Sequence, residues 1–508
     1  MSENASLLGP LVWGTLSVIT VYFIWLRNAA RSKLPLPPGP PKLPVLGNLF
    51  DVRGRRMWEA CMEWSQKYDS DIIHLNMAGT SVVVLSSVEV SEALLDKRSS
   101  IYSDRFGRLF MEGMSVNSDH ILRRTQRRLF NQRLNVTASQ NFKPQERSAA
   151  HALIRRLLDS PDEFLAHVRL MAGEVILPIA YGIQPQPSDP YIALAEEFIQ
   201  SGNQTVSERF IIDFFPFLRS LPEWMFGPGF QRTVRKGRTL TEALRSVPFA
   251  ETKRQVISGE AKYSFAADAL RDLDAGERYF DENAVKDVAG MMYAAGADTT
   301  VSALSTFFLA MLANPEAQRK AQLEIDSVVG QEILPDFDDR DSLPYVAALL
   351  KEVLRWKVVL PAGIPHFLMV EDEYRGYRIP ANSLVMANSW AILHDEKIYP
   401  DPYAFNPERF LLNGKLNPAA KDPQAAFGFG RRFCPGKHLA ESSIWIAVVS
   451  VLAAFNITEA VDEHGQVIEP SYEYTEGIIS APVPFKCSIQ PRSQTAAKLV
   501  QATATYNI

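Results

Sequence analysis

A mainly α-helical chain with small β-sheets, set behind an N-terminal transmembrane helix, is what this sequence predicts. Three observations carry that reading. Leu7–Leu26 is a run of twenty residues without a charge, the length that spans a hydrocarbon core. From Val88 to Gly330 apolar residues recur with helical spacing and only short breaks. Strand-like alternation is confined to short runs: Ile72–Asn76 and Val82–Ser86, then Phe367–Val370, Tyr374–Ile379 and Leu384–Ala387.

Composition narrows the class. The 508 residues are 46% hydrophobic and 22% charged, with a formal net charge of −5. That is a globular balance, and it gives no electrostatic reason to expect nucleic acid. Cys61, Cys434 and Cys487 are the three cysteines. An odd, sparse set argues against a disulfide framework and for a reducing compartment.

The N-terminal run has no basic region before it and is too long for a secretory signal. Only Glu3 precedes it, while Arg27, Arg31 and Lys33 follow, which orients the remaining chain to the cytosol. Residues 1–33 therefore read as a membrane anchor with its basic flank. Leu34–Pro44 is too rich in proline for helix or sheet interior and reads as a stiff hinge. The remainder is 45–508, long enough for one large domain.

Within that remainder, Ala78-Gly79-Thr80 turns the first two strands into a hairpin. Ile121–Leu134 is helical and basic, with Arg123, Arg124, Arg127, Arg128 and Arg133. Paired prolines make Ile183–Pro187 a loop, and Ser220–Phe230 is aromatic but too broken for a core helix. Asp281–Ala313 has an N-cap at Asp281 and a stop at Asn314-Pro315. Mid-way it carries Ala295-Gly296-Ala297-Asp298-Thr299-Thr300, poor helix formers in the middle of a long helix. Met292, Ala295, Gly296 and Thr299 are spaced to share one face. Small residues there either pack a neighbouring helix or leave room for a flat ligand.

Pro344–Lys357 is an amphipathic helix that puts Glu352 and Arg355 three apart on one face. Pro361–His366 is a loop, and Asp401–Phe410 contains Arg409. Phe427-Gly428-Phe429-Gly430-Arg431-Arg432-Phe433-Cys434-Pro435-Gly436 follows. Glycine at Gly430 and Gly436 permits tight turns and close backbone approach on either side of the one cysteine. Lys437–Phe455 continues as a helix, and Ser480–Arg492 alternates weakly as a final hairpin.

The Phe-x-x-Gly-x-Arg-x-Cys-x-Gly spacing resembles the haem-binding signature of the cytochrome P-450 haem-thiolate family, and the resemblance covers nearly the whole chain. It implies a single mainly α domain holding haem b (iron protoporphyrin IX) between the long helix and the cysteine helix. Cys434 would be the axial iron ligand, a thiolate that favours O–O cleavage. Phe427 would shield the sulfur. Arg432, His366 and Arg127 would meet the haem propionates. At Arg127 the family pattern is broken, because the tryptophan expected four residues earlier is Arg123. Thr299 and Asp298 match the acid–alcohol pair that delivers protons, Met292 and Ala295 would line the substrate pocket, and Glu352, Arg355 and Arg409 would form a structural triad. The implied reaction is monooxygenation of an apolar small molecule. Electrons would come from an NADPH-cytochrome reductase, with cytochrome b5 as an additional donor, at the endoplasmic reticulum membrane. Gly428-Phe429-Gly430 lacks the third glycine of a dinucleotide fold, so that reductase must be a separate chain. The likeness is greatest to the fungal microsomal branch that oxidises terpenoids, indoles and polyketides.

Two alternatives stay open at this point: a non-catalytic haem-binding membrane protein, and a haem-thiolate isomerase or dehydratase. Neither needs Asp298 and Thr299.

Overall fold

The long helix forms because Asp281 accepts a hydrogen bond from the Ala284 amide at 2.8 Å, satisfying a donor that the first turn leaves orphaned. It runs over Glu282–Ala313, 32 residues, which is about 48 Å at 1.5 Å per residue. The computed structural model that shows it describes residues 34–105, 120–186, 189–198 and 228–504. The expected anchor Leu7–Leu26 and most of Ser220–Phe230 lie outside the described residues, as does the Arg123 side chain.

In chain order, the helices that place the site are α1 (Met57–Lys67), α2 (His120–Arg133), α3 (Lys143–Asp159), α4 (Phe164–Tyr181), α5 (Pro228–Ser258), α6 (Glu282–Ala313), α7 (Pro344–Trp356), α8 (Lys437–Ala454) and α9 (Gln494–Ala502). Among the described residues three helical stretches, Pro161–Tyr181, α6 and α8, are long and apolar enough to cross a membrane, yet 72–78% of the apolar window in each is buried inside the domain. Their composition is explained by the core. They pack with α3 into the largest apolar cluster.

The β content is small. Strands β1 (Ile72–Met77) and β2 (Thr80–Leu85) pair as the expected hairpin. Ala78 and Gly79 both take positive φ, 50° and 97°, at the turn, the backbone that a two-residue hairpin demands. β3 (His366–Leu368), the hairpin β4 (Asp372–Tyr374) with β5 (Tyr377–Ile379), and β6 (Ser383–Ala387) follow. The main sheet has the order β1-β2-β6-β3, with β2 and β6 parallel. That crossover brings His366, on β3, under the N-terminal part of the chain.

The proline-rich segment is docked on the domain: Arg378 donates its amide to the Pro35 carbonyl at 2.8 Å and His74 to Pro38 at 2.9 Å. A Cβ on Gly39 would lie 2.2 Å from the His74 carbonyl oxygen, so only glycine lets the segment lie this close. At the other end, β8 (Ser488–Pro491) does not fold back on its own neighbour. It pairs antiparallel with β7 (Phe455–Thr458), which directly follows α8.

Candidate active site

The cysteine loop is built by backbone geometry. Gly428 and Gly430 take φ of +84° and +57°. At Gly430 a Cβ would sit 1.9 Å from the Leu95 carbonyl oxygen, so a side chain cannot enter. Gly436 differs. Its φ is −86°, and an added Cβ meets nothing within 4 Å in this chain. What it supplies is an N–H donated to the Cys434 thiol. Cys434 in turn donates its own amide to Phe427 at 2.8 Å, closing the loop. Desolvation pushes the Cys434 thiol up, while the Gly436 N–H and the Arg127 and Lys437 charges pull it down. The other cysteines lack such donors. Burial drives Cys61 and Cys487 up to about 12, leaving inert core thiols. The Phe427 ring lies 6.4 Å from that of Phe433, with the Lys437 ammonium 5.5 Å over it.

Helix α6 divides its small residues between two jobs. Gly296 packs on α4, where a Cβ would come 2.9 Å from Ile176 Cδ1. Met292 turns the same way and is only 3% exposed in the core. Met291, Ala295 and Thr299 carry the more open face, with Ala295 exposed and the other two half-buried. A four-residue step relates each to the next. Thr299 Oγ1 donates to the Ala295 carbonyl at 2.7 Å, and Thr300 to Gly296 at 2.8 Å. Both hydroxyls thus keep their lone pairs free. Burial raises the Asp298 carboxyl to about 6; Arg169 opposes the shift and Glu196 adds to it. A carboxyl poised near neutrality can both hold and release a proton. Arg169 of α4 and Glu196 form their own ion pair at 3.1 Å.

Three arginines and a neutral histidine converge beside the loop from four separate segments. Arg127 Nη2 of α2 donates to the Phe433 carbonyl at 2.7 Å. Arg432 Nε donates to the Ser103 carbonyl at 2.6 Å. His366 is 5% exposed and donates Nδ1–H to the Tyr102 carbonyl at 2.9 Å. Burial, together with the charges of Arg105 and Arg432, lowers its imidazole to about 3. Arg105 joins the group by donating Nη1 to the Pro365 carbonyl at 2.8 Å. Sequence reading passes over Arg105, because it belongs to no local motif and its partner lies 260 positions away.

Behind the loop, Glu352 and Arg355 are both fully buried. Arg355 donates Nε and Nη2 to the Glu352 carboxylate at 2.7 and 2.8 Å, and Arg409 donates Nε at 3.1 Å. The Asn406 amide adds a fourth bond at 2.8 Å. The basic run of α2 is split: Arg133 is paired with Asp268 and Asp272, whereas Arg124 and Arg128 are exposed.

Comparison with known proteins agrees with this geometry. Residues 37–489 match the model of the family described as Cytochrome P450. The chain is 43% identical to Cytochrome P450 monooxygenase 98 of Postia placenta, over 96% of each chain. It is 40% identical to Cytochrome P450 monooxygenase ple1 of Rhodocybe pseudopiperita, over 94% of each. It is 38% identical to the Tryptamine 4-monooxygenase of Psilocybe cyanescens, over 94% of this chain and 97% of that one. The residues present suit the family's cofactor, haem b. A soft sulfur receives a backbone N–H, Gly430 turns the loop where no side chain fits against Leu95, and cations gather where two carboxylates need partners. The chain belongs to the cytochrome P450 family and is a haem-b-dependent monooxygenase.

Proposed function

We propose that the protein hydroxylates an apolar small molecule in fungal secondary metabolism, terpenoid chemistry foremost, from a cytosolic domain anchored by residues 1–33 in the endoplasmic reticulum membrane. The observation that carries the catalytic reading is the pairing of a hydrogen-bonded Cys434 loop with an α6 face of Ala295, Asp298 and Thr299. When bound, haem supplies the redox chemistry that activates O₂.

In this reading Cys434 ligates the iron and the Gly436 N–H moderates the sulfur's donation. Arg127, Arg432 and His366, with Arg105, hold the propionates. His366 already commits Nδ1–H to Tyr102, so only Nε2 is left for a carboxylate, and an anion there would favour its protonation. Thr299 positions a proton donor, and Asp298, near half-protonated at pH 6, passes protons inward. Glu352, Arg355 and Arg409 brace the fold. Asp298 and Thr299 together favour oxygen chemistry over the isomerase and non-catalytic alternatives.

Electrons would arrive from the NADPH-cytochrome reductase, or from cytochrome b5, at a basic face. Lys437 is engaged with Asp422 and Glu441 at 3.7 and 3.6 Å, which leaves exposed Arg124, Arg128 and Arg431 to meet an acidic partner. The test is coexpression with a reductase, feeding of candidate terpenoids and indoles, and turnover under isotopically labelled O₂. The expected product carries one labelled oxygen. A product with no label, or an isomer of the substrate, would remove the monooxygenase assignment for that substrate.

A further inference from the structure

Gln126 and Arg127 are neighbours on α2 with different partners. Gln126 Nε2 donates to Asp287 Oδ2 of α6 at 3.0 Å. Asp287 is 8% exposed, and its other carboxylate oxygen pairs with Arg245 of α5. The helices are close there: a Cβ on Gly290 would lie 3.2 Å from Arg245 Cγ. One buried carboxylate therefore ties α2, α5 and α6 together. The next residue on α2, Arg127, donates to the Phe433 carbonyl at 2.7 Å. That carbonyl belongs to the peptide leading into Cys434.

Consecutive residues of a helix cannot slide independently. The bond at Gln126 fixes the height and rotation of α2, and with it the reach of the Arg127 guanidinium. We propose that Gln126 is a positioning residue: through Asp287 it sets the α2 register in which Arg127 holds its charge beside the ligating sulfur, and so tunes the reduction potential of the haem iron. The inference rests on the reading of Cys434 as the axial ligand. A cation close to a thiolate draws density from it. When the cation drifts away, the sulfur donates more strongly and the ferric state gains.

The experiment uses the full chain loaded with haem, the variants Gln126→Leu and Arg127→Gln, and their double variant. Leucine keeps the bulk of Gln126 and removes the donor. The readouts are the potential and the CO-bound spectrum, neither of which requires turnover. Gln126→Leu should keep the thiolate spectrum and lower the ferrous-to-ferric ratio about tenfold at a fixed ambient potential, equivalent to about 59 mV for a one-electron couple. In the Arg127→Gln background, Gln126→Leu should add no further shift, because its effect travels through Arg127. A wild-type potential in Gln126→Leu, or an equal shift in both backgrounds, overturns the proposal. If Gln126→Leu loads no haem, Gln126→Met takes its place, and failure of both assigns Gln126 to folding alone. A wild-type protein without the thiolate spectrum would instead strike the Cys434 reading.

Discussion

Glu352→Gln keeps the shape of the side chain and deletes its charge, at a site where water cannot compensate. Glu352 and Arg355 have fully buried side chains and Arg409 is 7% exposed. Four donors converge on the carboxylate: two from Arg355 at 2.7 and 2.8 Å, one from Arg409 at 3.1 Å, and the Asn406 amide at 2.8 Å. Neither guanidinium can swing out to solvent. Arg355 is also bonded to the Leu393 carbonyl at 2.9 Å, and Arg409 to Pro400 and Asp401 at 2.6 and 3.0 Å. Removing one member of a buried charged network costs about 3–5 kcal/mol. Set against the roughly 5–15 kcal/mol that keeps a domain folded, that is a hundredfold or greater loss in the folded-to-unfolded ratio at about 1.4 kcal/mol per tenfold. The assay is haem bound per purified polypeptide, followed by the urea midpoint of whatever fraction loads. Little loaded protein, or a sharply lowered midpoint, is expected. Full loading and a wild-type midpoint with turnover alone abolished would refute the structural role and move Glu352 into the chemistry.

Thr299→Ala should retain haem and substrate binding while the hydrogen peroxide released per NADPH consumed rises several-fold; an unchanged ratio would remove Thr299 from proton delivery. Asp298 titrates near 6 in the fold against an ordinary 3.8. The fold thus favours its protonated form, and the penalty for charging it grows as pH rises from about 4 through 6. Asp298→Asn should therefore be more stable than wild type above pH 6 and indistinguishable near pH 4, while turnover falls and loses its dependence on this group; denaturation midpoints at the two pH values check it. Gly430→Ala should all but abolish haem loading, because its Cβ meets a backbone oxygen at 1.9 Å. Gly428→Ala, whose Cβ meets nothing nearer than 3.9 Å, should show only the cost of forcing alanine into a backbone region open essentially to glycine alone, φ +84° with ψ −160°, about 1–3 kcal/mol.

The parts of this site legible in the sequence are those whose chemistry is local. The cysteine loop is set by glycines and donors within ten residues, and the Glu352–Arg355 pair by a single helical turn. The face of α6 was only half legible. Alanine and glycine occur on both sides of the helix, and spacing alone does not say that Gly296 meets Ile176 while Ala295 stays open. The polar groups beside the loop were harder still. Arg105 and His366 come together where Asp104 pairs with Phe367 of β3, a tertiary event with no trace in either segment. The docking of the proline-rich segment was illegible for a related reason: proline density explains its extended backbone, but the amides that the Pro35 and Pro38 carbonyls accept from, those of Arg378 and His74, lie far along the chain.

The central claim is that Cys434 ligates haem iron as a thiolate. Its most direct test is the difference spectrum of the dithionite-reduced, CO-bound full chain, wild type against Cys434→Ala, with Cys61→Ala as the control for a buried thiol. Wild type and Cys61→Ala should show the red-shifted Soret band of thiolate ligation, and Cys434→Ala should lose it. Retention of that band in Cys434→Ala, or its absence from haem-loaded wild type, would contradict the account.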